Sequence, residues 1–204
     1  MNILAIGSHP DDIEFGCGGT LLKYASKGHK ISMLVMTEGQ SGKNSNLRIR
    51  EQSESAKKIK AKLYWGGFVD TDIPLHKKTI NLIEKVIVKI KPDITFVHFL
   101  NDTHQDHRTT AQATITATRY IKNVLFYEVP TTVDFSPASV FTDITDILNK
   151  KLELLKTHKS QVFATHIGGL SILDCAKSTA IFRGTLNRVK YAEAFIPLRF
   201  SLKI

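Results

Sequence analysis

One pattern constrains the fold of this chain more than any other: strand-length apolar runs alternate four times with helix-patterned segments. The runs are Ile3-Leu4-Ala5-Ile6, Ile31 to Met36, Leu63 to Phe68 and Ile94 to Phe99. The first is continuously apolar, as a strand covered on both faces must be, because neither face meets water. Helical patterns follow from Thr20 to Lys27, from Asn46 to Lys60, through Ile80, Leu82, Ile83, Val86, Ile87 and Ile90, and from Arg108 to Tyr120. Strands separated by helices pair in parallel, since the chain crosses back over the sheet before each new strand. The expected fold is α/β, a doubly wound, mostly parallel sheet. Val124 to Tyr127 reads as a fifth strand, Asp143 to Lys156 as a helix, the stretch through Ser178 as mixed, and Tyr191 to Phe195 as a short late strand. No repeat or linker interrupts the chain, so one domain over residues 1–204 is expected.

Sheets of this kind bind ligands beyond the carboxyl ends of their strands. Each polar cluster of the chain follows a strand: His9 to Glu14, Glu38, Asp70 to Asp72, and Asp102 to His107. They are therefore expected on one rim. Joining the first and fourth strand ends brings His9, Asp11, Asp12, His104, Asp106 and His107 into one crevice. Three carboxylates beside a histidine in six residues are costly to bury unless a cation neutralises them. Tetrahedral zinc, with bonds of about 2.0–2.1 Å, needs donors roughly 3.3 Å apart. His9 and Asp12 can supply two, and either His104 or His107 the third. Two imidazoles, a carboxylate and an open position describe a catalytic rather than a structural site, and the same set could hold Fe(II).

Composition narrows the field. Apolar residues make up 42% of the 204, enough for a core. No apolar stretch approaches the roughly 20 residues that span a bilayer. The four-residue apolar run at the N-terminus has no basic region before it, unlike a signal peptide. Two cysteines, Cys17 and Cys175, make no disulfide framework, so reduced thiols and a cytoplasmic location are expected. The formal net charge is +9. Its densest run, Lys57-Lys58-Ile59-Lys60-Ala61-Lys62, lacks interleaved aromatics and reads as a solvated lysine face, so no nucleic-acid partner is expected.

His-Pro-Asp-Asp-Ile-Glu near the N-terminus, with Asp-Thr-His-Gln-Asp-His after a later strand, resembles the PIG-L/LmbE family of zinc-dependent N-deacetylases. Arg48-Ile49-Arg50-Glu51 with Ser55-Ala56, His158-Lys159-Ser160-Gln161 and Tyr191-Ala192-Glu193-Ala194-Phe195 resemble further segments of that family. The resemblance implies His9, Asp12 and His107 as metal ligands and Asp11 as general base. It implies His104 as the group that assists the oxyanion or the leaving amine, Asp106 as the acid orienting His104, and Arg48 as a substrate contact, with Arg50 as its rival. The substrate implied is an N-acetylated amino-sugar conjugate, the cofactor Zn2+, and the fold a Rossmann-like three-layer domain. Family members often form homo-oligomers.

Two other functions compete: a metal amidase of the same fold acting on a non-sugar amide, and a non-catalytic module binding an anionic sugar or nucleic acid. Among the remaining residues, Glu14 reads as support beneath the site, and Glu38, Asp70 and Asp72 as rim acids that could meet sugar hydroxyls. Cys17 and His98 read as core, and His158 and Glu193 as supports. His29, His76 and His166 are expected in solvent.

Overall fold

The computed structural model describes residues 1–41 and 45–201; Gly42, at the end of the polar loop expected after the second strand, lies outside them. The first half of the chain runs β1 (Asn2–Gly7), α1 (Asp12–Ser26), β2 (Lys30–Thr37), α2 (Ser45–Ile59), β3 (Lys62–Phe68), α3 (Lys77–Ile90), β4 (Ile94–His98) and α4 (Gln105–Ala117). The second half runs β5 (Val124–Tyr127), β6 (Val140–Asp143), α5 (Leu148–Leu155), α6 (Ile172–Leu186) and β7 (Ala192–Arg199). The strands form one sheet in the order β3-β2-β1-β4-β5-β7-β6. Pairing is parallel from β3 to β5, and β7 then runs antiparallel to both β5 and β6.

The continuous apolar run of β1 meets a helical layer on each side. Ile3 and Ala5 join one core with Ile13 and Leu21 of α1, Ile59 of α2 and Leu154 of α5. Leu4 and Ile6 join the other with Ile83 and Ile87 of α3 and Ala113 and Ala117 of α4. All four β1 residues are fully buried. This is the expected three-layer α/β fold. The chain winds away from β1 in both directions, to β2 and to β4, so the crevice between the ends of β1 and β4 is the topological switch point.

Three expectations about local structure are corrected. Helix α1 begins at Asp12, not Thr20, and takes in Gly16, Gly18 and Gly19. Glycine disfavours helix by about 1 kcal/mol against alanine, but packing demands it here: a Cβ on Gly16 would lie 2.1 Å from the Tyr127 ring. The helix is also broken, with Cys17 at φ −142°, ψ 15°. Near the break the Phe15 carbonyl accepts from Lys151 Nζ at 2.6 Å, while Gly19 and Thr20 amides donate to Glu193 at 2.8 and 2.7 Å. Second, the C-terminal region read as mixed contains α6, started by a Ser171/Asp174 capping box. Third, β7 extends to Arg199, and the edge strand β6 was not expected at all. His76, expected in solvent, is exposed but caps α3, its Nδ1 accepting from the Lys78 amide at 3.2 Å.

Candidate metal centre

His9 follows β1, Asp12 is the first residue of α1, and His107 lies in the first turn of α4. Their side chains converge. His9 Nδ1 is 3.3 Å from His107 Nε2 and 3.4 Å from Asp12 Oδ2, and His107 Nε2 is 3.5 Å from Asp12 Oδ1. Donors about 3.3 Å apart are what tetrahedral bonds of about 2.0–2.1 Å require. One Asp12 oxygen faces each ring, so the two imidazoles and this carboxylate together fit a divalent cation, and His104 lies close enough to His9 and His107 to join them in a donor group.

Each of the three is held from behind, as ligands of metal sites generally are. His9 Nε2 faces Asp70 Oδ1 at 2.9 Å and Asp106 Oδ2 at 3.1 Å. His107 Nδ1 faces Asp102 Oδ1 at 3.1 Å and Thr131 Oγ1 at 3.2 Å. Asp12 Oδ2 accepts from the His9 amide at 2.7 Å and lies 3.1 Å from His98 Nε2. His98, read from sequence as core, is fully buried, yet it stacks on His107 at 4.0 Å and 8° and touches a donor. Its Nε2 accepts from the Ser8 amide at 3.1 Å, beside the Asp12 oxygen. Burial, and then the His107 charge, push it down to about 4, so it is neutral.

Charge follows this geometry. Against burial, contacts with Asp106, Asp12 and Asp70 hold His9 well above its usual value. Against burial again, the His107 charge above all holds Asp12 well below its own. The pair keeps a proton where a cation fits. Asp102, in spite of burial, is held down to about 2 by its hydrogen bond to His107.

Asp11 stands beside the donors as N-cap of α1, but its side chain makes no capping bond. Its φ is +97°, a region that costs a non-glycine residue on the order of 1–3 kcal/mol and persists only where the surroundings enforce it. Burial, and then the neighbouring Asp12 charge, push its carboxyl up to about 6. Arg48 Nη2 lies 3.8 Å from Asp11 Oδ1. Arg48 is buried against the Gly39 and Pro10 carbonyls, whereas its rival Arg50 is exposed.

His104 caps α4, its Nδ1 accepting from the Asp106 amide at 3.2 Å. Burial and then the charges of His9 and His107 lower it, so it is a neutral ring with the proton on Nε2. The expectation that Asp106 orients His104 is corrected. The Asp106 carboxylate accepts from His9 Nε2 and from the Thr71 and Ile73 amides at 2.8 and 3.3 Å, and meets His104 only through its own backbone. The reason is local: the capping ring folds onto the Asp106 amide, leaving the carboxylate to turn beneath the loop before α3.

These groups open into a cavity of about 520 Å³, within the few-hundred-Å³ range of small-molecule sites. It is lined by His9, Asp11, Asp12, His104, His107 and Arg48, and by the apolar or weakly polar Val129, Pro130, Ile167, Ile172 and Cys175. Asp70 belongs to the centre rather than to a solvated rim, and among the described residues Glu38 and Asp72 do not line the cavity. His166, expected in solvent, is exposed but borders it. The sequence reading placed Asp102 in the rim cluster but gave it no role, and it missed Gln52. Only the position of Asp102, just after a strand, could have signalled its role.

Fold and site define a doubly wound α/β protein with a candidate His/Asp metal site at its switch point. The chain belongs to the PIG-L family, described as GlcNAc-PI de-N-acetylase, whose pattern matches residues 4–118. It is 39% identical over 168 residues to the uncharacterized deacetylase YaiS of Escherichia coli (strain K12), covering 78% of this chain and 90% of that relative. Diacetylchitobiose deacetylase of Thermococcus kodakarensis is 26% identical over 223 residues, covering 96% and 83%. Among solved structures, N,N'-diacetylchitobiose deacetylase from Pyrococcus horikoshii superposes with a TM-score of 0.84 at 24% identity, covering 96% of this chain and 83% of that one.

Proposed function

We propose that this protein is a metal-dependent N-deacetylase. It hydrolyses the N-acetyl group of an N-acetylglucosamine-type conjugate to acetate and a free amine, working as one domain with zinc, or Fe(II), at His9, Asp12 and His107. The observation that carries the reading is the convergence of His9 Nδ1, His107 Nε2 and the two Asp12 oxygens, with contacts of 3.3–3.5 Å, in the lining of a ligand-sized cavity that Asp11 also borders. Relatives named as deacetylases support the reaction, and one named for diacetylchitobiose supports the amino-sugar class. The unpaired Cys17 and Cys175 agree with a cytoplasmic location.

The bound cation supplies Lewis acidity and a water that ionises near neutral pH. Asp11, adjacent to a donor but not one of the three, takes the proton of the attacking water. A base so placed contributes roughly 10²–10⁴-fold. His104, neutral with its proton on Nε2, donates a hydrogen bond to the oxygen that gains charge as the amide carbonyl is attacked. The proton held by Asp11 then goes to the departing nitrogen, which leaves as the amine. Arg48, fixed in the cavity wall, offers its guanidinium to substrate oxygens. The test pairs elemental analysis of the purified protein with acetate release over a panel of N-acetylglucosamine conjugates and simple acetamides. One divalent metal per chain and release confined to the sugar conjugates are expected. Protein that takes up no metal and cleaves none of the panel would overturn the proposal.

A further inference from the structure

The peptide unit that enters Asp11 is gripped on both edges by one face of α2. Its carbonyl, that of Pro10, accepts from Arg48 Nη2 at 3.0 Å. Its amide, that of Asp11, donates to Gln52 Oε1 at 3.3 Å. Arg48 and Gln52 are four residues apart, one turn of helix, so they project from the same side. Gln52 is fully buried and is itself held: its Nε2 donates to Glu14 Oε1 at 2.8 Å. The same Glu14 oxygen accepts from Ser55 Oγ and lies 3.3 Å from His158 Nε2. A glutamine amide fixed at its nitrogen end presents its oxygen in one direction only, here toward the Asp11 amide.

We infer that Gln52 is a positioning residue for the reaction, holding Asp11 in its left-handed conformation so that the carboxylate faces the metal centre. The inference rests on the proposed role of Asp11 as base. An aspartate at φ +97° relaxes to negative φ once its amide is released, and that rotation carries the carboxylate away from the donors. Asp11's own side chain makes no capping bond, and its one ion-pair contact, to Arg48 at 3.8 Å, is longer than a hydrogen bond. Arg48 grips the other edge but borders the cavity, so its loss would disturb substrate as well; Gln52 has the positioning task alone. A displacement of about 1 Å at a reacting group can cost on the order of 100-fold in rate.

The decisive variant is Gln52→Met, which keeps length and apolar volume and removes the acceptor. Expected are a 10- to 100-fold fall in kcat, KM within about twofold, unchanged metal content, and faster hydrogen exchange of the Asp11 amide in metal-free protein. Combined with Asp11→Asn, Gln52→Met is expected to cost nothing more, since it acts through a base already removed. A kcat within threefold of wild type, or an equal loss in the Asp11→Asn background, overturns the inference. Should Gln52→Met not fold, Gln52→Glu serves: holding a proton it preserves both contacts and is expected to keep kcat near wild type, and a folded Gln52→Glu protein with unprotected Asp11 amide and full activity overturns the inference. A fully active Asp11→Asn protein, by contrast, removes the base assignment whatever Gln52 does.

Discussion

Both segments of the broken helix α1 begin among buried charges, and they are finished differently. At the second segment, Lys151 and Glu193 pair at 2.6 Å with both side chains buried. Lys151 also donates to the Phe15 carbonyl, and Glu193 accepts from the Gly19 and Thr20 amides and the Thr20 hydroxyl. The pair splints the break by taking up backbone groups there, and its charges face each other. At the first segment, His9, Asp12 and His107 point their donor atoms at a common position, and each is braced from behind by a carboxylate or a ring. Nearby, Glu14 Oε2, Arg48 Nε and His98 Nδ1 stay without hydrogen-bond partners. Buried charge that closes on itself holds the fold together, and buried charge that converges on a shared opening is arranged for something that enters.

The contrast is open to direct attack. The largest effect is expected from Asp11→Asn: kcat for acetate release falls roughly 10²–10⁴-fold while metal content and urea midpoint stay at wild-type values. A large stability loss in that variant would erase the distinction between the two segments. Next comes Lys151→Met, which leaves Glu193 buried without its cation and is expected to cost about 3–5 kcal/mol of stability in urea titration, with turnover per folded molecule unchanged. Lost turnover in a fully stable variant would make the splint part of the reaction. The smallest effect is on metal binding. In metal-free protein His9 is held above its usual value, so below that pKa a proton must leave before the cation enters. Metal affinity is expected to weaken about tenfold per pH unit there, and a pH-independent dissociation constant by calorimetry would take His9 out of the donor set.

Much of the architecture was legible because β1 carries its message locally: an apolar run, a stop, a polar cluster. The same grammar at β4 brought His104 and His107 to the end of β1. What stayed hidden depends on contacts that local pattern does not encode. Asp70 and Asp102 look like any solvated loop acid until the fold sets them behind His9 and His107. His98 looks like core until its ring is seen against His107. Asp106 has the spacing of an acid serving His104, but the first turn of α4 directs its carboxylate the other way. Helix α1 extends back past its expected start at Thr20 through three glycines, and Gly16 is fitted there against Tyr127 in a way no local pattern announces. The C-terminal region gave the least: α6 mixes Lys177, Ser178 and Thr179 among its apolar residues, and β6 is a half-exposed edge strand of four residues.

The cavity has walls of different ancestry along the chain. Every proposed donor, the base and Arg48 come from residues before 118, the span the family pattern covers. The apolar wall of Val129, Pro130, Ile167, Ile172 and Cys175 comes entirely from residues after 128. Two lengths of polypeptide thus meet at the opening, the first carrying the proposed reaction groups and the second the apolar lining, and they are also tied beneath it, Thr131 to His107 and His158 to Glu14. A lineage could rewrite the second length, through the exposed turn at 163–169 in particular, and acquire a new conjugate without altering a letter of the first.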